Sequence, residues 1–286
     1  MSDARISFEK WQALGNDYLI VERDRLPWEL TAPRVRLLCD PHFGIGSDGV
    51  LLLAPSEDPE FVAELRIFNP DGSEAELSGN GAREAILYLR RHGWTDADRF
   101  AISTVAGPIR PTITGDLTCS VEMGHAATVS KDFPSGAADG RGTVTAAGRE
   151  WEFQHVSIGN PQCAIVVDAG ELEGLDLGAI GPEIEASELF PNRTNVSLLT
   201  VDGSRVRARI FERGVGETLS SGTGASGAAV TAFLRGAPSP LTVALDGGEL
   251  EVEIGEDLAV TLTGWAQPIC SGELSPELAA ALASAA

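Results

Sequence analysis

The sequence has few basic residues. It contains 21 Lys and Arg against 42 Asp and Glu, and its formal net charge at pH 7 is −21. Nucleic acids and anionic membranes are bound by basic surfaces, so this charge balance argues against both partners. The acidity is typical of a highly soluble surface or of adaptation to salt, and a cationic partner is the alternative interpretation.

Long apolar runs are also missing. A membrane-spanning helix needs about 20 predominantly apolar residues, and the apolar run at residues 50–54 is far too short. Residues 1–5 lack the apolar core of a signal peptide. We therefore expect a cytoplasmic protein with no membrane partner.

Neither cysteine nor histidine forms a recognisable ligand pattern. No CxxC pair and no metal-ligand spacing occurs among the four cysteines and four histidines. We expect reduced, mostly buried thiols and no metal site. The scattered residues are Cys39, Cys119, Cys163, Cys270, His42, His92, His125 and His155.

What the sequence does contain is an internal repeat. Residues 66–82 read RIFNPDGSEAELSGNGA and residues 209–225 read RIFERGVGETLSSGTGA, so equivalent positions are 143 apart. A second pair of similar motifs, at residues 14–16 and 158–160, is offset by 144. Two motifs in the same order at nearly the same offset indicate two halves of one plan.

The hydrophobic pattern predicts the same local structure in each half. Residues 61–68 and 205–211 have strand character, and each is followed by a glycine turn and then by a helical run, at 82–91 and 225–234. Further short strands are predicted at 17–22, 50–53, 152–157, 195–201, 250–254 and 258–262. The pattern indicates an α+β fold with a helix packed in or on a curved sheet in each half.

The remaining segments suggest how the halves are divided. Residues 131–143 are polar and rich in Gly and Pro, which predicts a loop or a link between lobes. From Ser275 on, a Ser cap and a Pro in the first turn predict a short alanine-rich helix that packs outside the repeat. We place one lobe at 1–124 plus 264–286 and the other at 125–263.

The Ser-Gly-x-Gly segments of the repeat mark two helix starts, at 79–81 and 222–224. A helix N-terminus offers unpaired N–H groups and a partial positive charge, and glycines allow a ligand close to the backbone. Two such termini related by a pseudo-twofold would face one cleft and clasp a single carboxylate. The alternative is that both are ordinary turns with a Ser N-cap, and the duplication favours the site.

A literal GxGxxG match occurs at residues 44–49. A dinucleotide-binding fingerprint follows a strand and opens a helix, whereas a strand-like run follows this segment. We therefore do not expect nucleotide binding.

Taken together, the motifs resemble those of the diaminopimelate epimerase family over residues 6–274. The resemblance implies two pseudo-symmetric α+β lobes, each a barrel-like sheet around a central helix, with no metal, no pyridoxal phosphate and no other cofactor. It also implies interconversion of LL- and meso-diaminopimelate, an amino-acid substrate, in lysine and peptidoglycan precursor synthesis. A homodimer is compatible with the sequence. The motifs are LGND at 14–17, HFGIG at 42–46, FNPDGS at 68–73, GNGAR at 79–83, GNP at 159–161, NV at 195–196, ERG at 212–214 and GET at 216–218.

The resemblance assigns substrate-binding roles position by position. Arg213 suits the distant carboxylate, because its planar guanidinium pairs with a carboxylate bidentately. The amides that would hold the reacting carboxylate are those of Gly79, Asn80, Gly222 and Thr223. The side chains that would read the rest of the substrate are Asn16, Asn69, Asn160, Asn195, Glu212 and Arg213.

The chain departs from the family at the catalytic positions. The family uses one cysteine thiolate to remove the α-proton and one thiol to deliver a proton, but Ser78 and Ser221 occupy these positions. The histidine after Gly-Asn-Pro is replaced by Gln162. A serine hydroxyl is a far weaker acid than a thiol, whose pKa is about 8.5, so two serines cannot simply replace the thiols. We predict Ser78, Ser221 and Glu212 as the catalytic residues.

Several interpretations of this departure stay open. The cysteines could have been replaced by engineering, but Gln162 favours natural divergence. A diverged isomerase could use carboxylates instead: Asp48 lies near where the related phenazine-biosynthesis isomerases carry a single catalytic glutamate, and Glu212 and Glu217 are other candidates. Asp48 as a simple turn residue is the plainer interpretation. The last interpretation is a binding protein that has kept the cleft and lost the catalytic activity.

Overall fold

The structure is a computed structural model that describes residues 5–76 and 78–285. These residues form two compact units. The first contains the described residues up to Val121 and those from Trp265 onward, and the second is Glu122–Gly264.

Strands dominate both units, and the described residues contain nineteen of them with five α-helices. The strands up to the unit boundary are β1 Ser7–Ala13, β2 Asn16–Glu22, β3 Val50–Pro55, β4 Ala63–Phe68, β5 Glu74–Ala75, β6 Ile102–Thr104, β7 Gly107–Ile109, β8 Pro111–Gly115 and β9 Thr118–His125. The later strands are β10 Arg141–Ala146, β11 Arg149–Ser157, β12 Pro161–Val166, β13 Asn195–Asp202, β14 Arg205–Glu212, β15 Gly216–Thr218, β16 Leu241–Leu245, β17 Gly248–Ile254, β18 Ala259–Trp265 and β19 Gln267–Glu273. The α-helices are α1 Ala32–Cys39, α2 Gly79–Arg91, α3 Leu177–Glu185, α4 Gly222–Leu234 and α5 Pro276–Ser284.

The sheet of the first unit surrounds part of one buried helix. Its strands lie in the order β19-β1-β2-β3-β4-β6-β7, with β5 on β4, and β8 and β9 form an antiparallel hairpin. The pairs β2–β3 and β4–β6 are parallel. Helix α2 contacts β1, β2 and β3, and its residues from Asn80 to Leu89 are all buried. A helix buried around its whole circumference is typical of the centre of a core.

The second unit repeats this plan. Its strands lie in the order β10-β11-β12-β13-β14-β16-β17-β18, with β15 on β14. The parallel pairs, β12–β13 and β14–β16, occupy the same places in the order as those of the first unit. Helix α4 contacts six strands from β11 to β17 and is buried from Gly224 to Ala232. The predicted α+β class, with a helix against a curved sheet in each half, is confirmed.

The sequence repeat is visible in the register of the strands. Phe68 pairs with Glu74 between β4 and β5, and Phe211 pairs with Glu217 between β14 and β15. In both units an arginine two residues before the phenylalanine reaches the paired glutamate, since Arg66 Nε lies 2.7 Å and Arg209 Nε 2.8 Å from a glutamate Oε1. Each copy of the repeat therefore contains an equivalent arginine–glutamate ion pair, in addition to the same topology.

The structure corrects two predicted boundaries. The helical runs predicted at 82–91 and 225–234 extend three residues further toward the N-terminus, since the helices begin at Gly79 and Gly222, within the segments 79–81 and 222–224 that were predicted as helix starts. The loop predicted at 131–143 ends earlier, since β10 begins at Arg141.

The C-terminal helix has the predicted cap but a different packing. The Ser275 side chain accepts a hydrogen bond from the Leu278 N–H, and Pro276 is the first helical residue. Leu282 is fully buried in a cluster that includes Val35 and Leu38 of α1. The tail is thus part of the core of the first unit instead of an addition outside the repeat.

The thiols follow the prediction of mostly buried cysteines. Cys39, Cys119 and Cys163 are buried, and Cys270 is exposed. Across the described residues, no helix is long and apolar enough to cross a membrane.

Candidate active site

Each of the two predicted helix starts is capped by its serine. In the first unit the Gly81 N–H donates to Ser78 Oγ at 3.1 Å, and in the second the Gly224 N–H donates to Ser221 Oγ at 3.2 Å. A serine at this position satisfies one of the otherwise unpaired N–H groups of the first turn. The N-cap interpretation therefore describes both serines correctly, and a site function must be compatible with it.

Two glycines of these turns lie close to side chains of the adjacent strands. A Cβ added at Gly224 would lie 2.6 Å from Ile210 Cδ1, and one at Gly81 would lie 3.0 Å from Leu51 Cδ2. A side chain of the strand next to each helix start therefore packs against the backbone of the first turn.

In the first unit, Ser78 contacts a tyrosine. The Tyr18 hydroxyl lies 3.1 Å from Ser78 Oγ and donates to it. Tyr18 is buried on β2, with 5% of its surface exposed, and Ser78 is half-buried. Tyr18 is not among the site residues that the sequence motifs predict. The internal repeat contained a signal for it, because the offset of 144 places Tyr18 at the position of Gln162 in the other half.

A polar chain links the start of α2 with the loop before β3. Arg83, fully buried, donates to Asn80 Oδ1, and Asn80 Nδ2 donates to Asn16 Oδ1 at 3.2 Å. Asn16 Nδ2 in turn donates to Asp48 Oδ2 at 2.8 Å, and the Asp17 N–H reaches the same oxygen at 3.0 Å. The structure thus brings together Asn16, Asn80 and the alternative acid Asp48, and gives Asp48 a role in fixing the loop.

Asn69 lies apart from this chain of contacts. It belongs to the turn after β4, where its Nδ2 donates to Ser73 Oγ at 2.9 Å and its N–H to the Ser73 carbonyl oxygen at 2.8 Å. The Asn69 side chain in this structure therefore orders the turn.

In the second unit, Ser221 contacts a carboxylate. Ser221 Oγ donates to Glu212 Oε2 at 3.1 Å, and Thr218 Oγ1 donates to Glu212 Oε1 at 3.0 Å. Burial raises the pKa of the Glu212 carboxyl, and the two hydroxyl donors oppose this by stabilising the charged form. A carboxylate with a raised pKa, hydrogen-bonded to a hydroxyl, is suited to accept a proton from it.

The other predicted residues of this unit form two further contacts. Asn160 Nδ2 donates to Thr223 Oγ1 at 3.1 Å, next to the helix start. The Arg213 N–H donates to Asn195 Oδ1 at 2.7 Å, and Arg213 Nη1 donates to the Asn192 carbonyl oxygen at 2.9 Å. Asn195 is buried, whereas Arg213 is exposed. Its guanidinium is therefore accessible to a ligand.

Gln162 is enclosed beside these residues. It is fully buried, and its Nε2 donates to Asn160 Oδ1 at 2.7 Å. Its Oε1 is buried with no hydrogen-bond partner among the described residues. Gly227 of α4 makes room for it, because a Cβ there would lie 2.8 Å from Gln162 Cγ. Gln162 therefore orients Asn160.

The remaining sequence candidates lie elsewhere or are already paired. Glu217 forms an ion pair with Arg209 at 2.7 Å, so it does not share the environment of Glu212. The GxGxxG segment at 44–49 lies between α1 and β3, which is the wrong context for a dinucleotide fingerprint. Over the parts of the chain that the structure describes, no three His, Cys, Asp or Glu side chains are grouped as a metal site would need.

Comparison with known sequences identifies relatives over almost the whole chain. The sequence profile of the family described as diaminopimelate epimerase matches residues 8–129 and 154–268. Diaminopimelate epimerase 2 of Nostoc sp. is 39% identical over 280 residues, which cover 96% of this chain and 97% of that protein. A diaminopimelate epimerase of Synechococcus sp. is also 39% identical, over 94% of this chain and 98% of that protein.

Solved structures share the fold at low sequence identity. A phenazine biosynthesis protein of the PhzF family from Bacillus anthracis has a TM-score of 0.64 and 18% identity, covering 95% of this chain and 99% of that one. A hydroxyproline epimerase from Agrobacterium vitis has a TM-score of 0.65 and 16% identity, covering 97% and 95%.

The profile match and the full-length relatives agree with the repeat, the topology and the motifs described above. The chain belongs to the diaminopimelate epimerase family, whose enzymes are isomerases.

Proposed function

We propose that the chain is a cofactor-independent epimerase that interconverts LL- and meso-diaminopimelate. The observation that carries this proposal is the Glu212–Ser221 contact at the start of α4, where a hydroxyl donates at 3.1 Å to a carboxylate of raised pKa. The choice of diaminopimelate as substrate rests on the relatives named as diaminopimelate epimerases, which are 39% identical over nearly their full length. Glu212, Ser221 and Ser78 are the proposed catalytic residues.

The helix starts are the proposed carboxylate-binding elements. In α4, the Ser221 cap uses the Gly224 and Ala225 N–H groups, which leaves the Gly222 and Thr223 amides as the first-turn donors for a ligand. The Gly79 and Asn80 amides have the same positions in α2. Positive potential at the N-terminus stabilises a bound carboxylate and the negative charge that develops there when the α-proton is removed.

The polar side chains around the helix starts are the proposed specificity elements. Arg213 would bind the distant carboxylate with its exposed guanidinium, and buried Asn195 fixes the Arg213 backbone through a 2.7 Å hydrogen bond. Asn160, tied to Thr223, and Asn16, tied to Asn80, would contact the amino acid end of the substrate. Asn69 is proposed on the family resemblance.

The chemistry has to compensate for the absent thiols. A serine becomes a base only if its own proton moves to a stronger acceptor in the same step, and Glu212 provides this acceptor for Ser221. Each pKa unit of mismatch in such a transfer costs about 1.36 kcal/mol. We therefore expect slower turnover than a thiol pair would give on the same scaffold.

The test is exchange of the substrate α-proton in deuterated water, followed separately from inversion. Exchange with inversion in the unaltered chain, lost in Ser221→Ala, supports the proposal. Exchange that survives Ser78→Ala and Ser221→Ala but disappears in Asp48→Asn would instead establish a single-carboxylate isomerase. Tight binding without exchange in any variant would establish a binding protein.

Restoring both thiols tests whether the scaffold is otherwise complete. We expect Ser78→Cys combined with Ser221→Cys to raise the rate of inversion. A double variant that stays inert would show that Gln162 and its neighbours have redirected the site.

We further propose a cytoplasmic homodimer whose lobes are 1–124 plus 264–286 and 125–263. The three buried thiols suit a reducing compartment. Ile269 of β19 is 53% exposed on a strand that ends the order of its sheet, which offers a surface for a second copy. Light scattering of the purified chain would give the oligomeric state.

A further inference from the structure

The two capping serines differ in the direction in which they can pass a proton. A hydroxyl has one proton to donate and two lone pairs that accept. Ser78 Oγ accepts from the Gly81 N–H at 3.1 Å and from the Tyr18 hydroxyl at 3.1 Å. Both lone pairs are occupied in this arrangement, which leaves the proton as the remaining hydrogen-bonding group of the Ser78 hydroxyl. Ser78 is half-buried, so part of its surface is open to a ligand.

Ser221 has the opposite arrangement. Its Oγ accepts from the Gly224 N–H at 3.2 Å and donates its proton to Glu212 Oε2 at 3.1 Å. One lone pair remains available. Ser221 can therefore receive a proton from a substrate, whereas Ser78 can deliver one.

Tyr18 creates this difference, and the fold holds it in place. Its ring is buried on β2, where the residue pairs with Trp11 of β1. Gly49 lies against the ring, since a Cβ at this position would be 2.6 Å from Tyr18 Cε1. The phenol is the stronger acid of the two hydroxyls, and therefore the better donor in its bond to Ser78.

We propose that Tyr18 is a positioning residue for epimerisation, which directs the Ser78 hydroxyl proton toward the substrate and replaces that proton once it has been transferred. This inference rests on the proposed function. It explains how a serine can act as the proton donor at a position where the diaminopimelate epimerase family, by the sequence resemblance, uses a thiol. A phenol has a reference pKa of about 10, close to the thiol value of about 8.5 and far below that of an alcohol.

The transfers balance in one direction of the reaction. The Cα–H bond breaks, its proton binds Ser221 Oγ, and the former Ser221 proton moves to Glu212. The electron pair left on the α-carbon takes the Ser78 proton to form the new Cα–H bond, and the Tyr18 proton moves to Ser78 Oγ. Water then removes the proton from Glu212 and returns one to the Tyr18 phenolate, so no oxidant or reductant is needed.

The decisive variant is Tyr18→Phe, which removes only the hydroxyl. We expect inversion to fall about 10²-fold or more, the usual contribution of a positioned general acid, with little change in KM. Exchange of the α-proton from the isomer that Ser221 deprotonates should persist, because Glu212 and Ser221 are unchanged. Tyr88→Phe is the matched control: its hydroxyl donates to Glu22 Oε1 at 2.7 Å, and its loss should leave inversion unaffected.

A second background separates positioning from simple structural support. In Ser78→Cys, the thiol is acidic enough to deliver its own proton, so Tyr18→Phe should then cost only a few-fold. The proposal would be overturned if Tyr18→Phe lowered the rate of inversion equally in the parent chain and in Ser78→Cys. An unchanged rate of inversion in Tyr18→Phe would also overturn it. Absence of exchange from either isomer in the unaltered chain would overturn the proposed function, and the relay with it.

If Tyr18→Phe does not fold, the proposal can be tested with fluorotyrosine, which is close to tyrosine in size and shape. The chain has two tyrosines, so biosynthetic replacement by fluorotyrosine in a Tyr88→Phe chain labels position 18 alone. A more acidic phenol should move the alkaline limb of the inversion rate to lower pH. An alkaline limb that does not move would overturn the relay.

Discussion

The two units begin their central helices with the same Ser-Gly-x-Gly turn but surround the serine with different chemistry. In the first unit Ser78 receives a hydrogen bond from Tyr18, and in the second Ser221 gives one to Glu212. Neither partner has an equivalent in the other half, because the repeat places Gln162 opposite Tyr18 and Asn69 opposite Glu212. The two helix starts therefore share one local structure, and in our proposal the different partners give the two serines different roles in proton transfer.

Removal of the base that we propose in the second unit, Glu212, should have the largest effect. We expect Glu212→Gln to lower kcat for inversion by about 10²–10⁴-fold, because the amide cannot accept the Ser221 proton. The matched control is Glu217→Gln, five residues away in the same hairpin and paired with Arg209. A loss of similar size in both variants would remove the distinction between the two glutamates.

The pH dependence of inversion gives a second test of Glu212. Burial raises the pKa of Glu212, and the base works only when ionised, so inversion should fall as pH drops through this raised value. The acid limb measured in kcat should disappear from the residual activity of Glu212→Gln. A limb that persists unchanged would have to be assigned to another group.

Binding of the distant carboxylate depends on the second unit alone in our proposal. Arg213 is exposed, so Arg213→Ala should weaken diaminopimelate binding by roughly 1.5–3 kcal/mol, the usual contribution of a hydrogen bond to a charged group. Calorimetry gives the affinity, and Arg141→Ala, another exposed arginine of the same unit, is the control. Equal affinities for the two variants would mean that another group reads this end of the substrate.

The two central helices also differ in a buried carboxyl group. Glu84 of α2 is fully buried, where α4 has Gly227 at the equivalent position. Burial raises its pKa well above the ordinary value, so the folded state holds a proton that the unfolded chain releases above about pH 4.3. The stability contribution is complete below that pH and is lost as pH rises through the folded pKa.

Glu84→Gln should therefore flatten the dependence of unfolding free energy on pH. The parent chain should lose about 1.36 kcal/mol for each unit by which the folded pKa exceeds the unfolded one. Urea unfolding between pH 4 and pH 8 measures the difference, with the exposed Glu64→Gln as control. Parallel curves for parent and Glu84→Gln would show that Glu84 stays ionised in the fold.

The smallest expected effect is on stability, and it concerns the equivalent arginine–glutamate ion pairs of the two units. Arg66 is 52% exposed in its pair with Glu74, whereas Arg209 is 14% exposed and also donates to the Leu172 and Leu175 carbonyl oxygens. A double-mutant cycle should give about 0.2–1 kcal/mol for the exposed Arg66–Glu74 pair. A larger coupling for Arg209–Glu217 would follow from its partial burial, and a smaller one would show that exposure does not decide the strength of these pairs.

The sequence by itself determined the repeat, the fold class and the places of both helix starts. These depend on residues close together in the chain: alternation along β14, the glycines of each turn and the capping serines act over a few positions. The same local information identified Ser78, Ser221 and Glu212 as candidates, because the repeat and the family motifs mark them.

Only the tertiary structure decided which groups these serines contact. Tyr18 and Ser78 are 60 residues apart in sequence, and their hydrogen bond exists because strand β2 and helix α2 pack together. Buried Glu84 and the docking of Leu282 against α1 were likewise invisible in the local pattern. Hydrogen-bond direction and burial depend on distances between distant segments, and a periodic sequence pattern does not contain those distances.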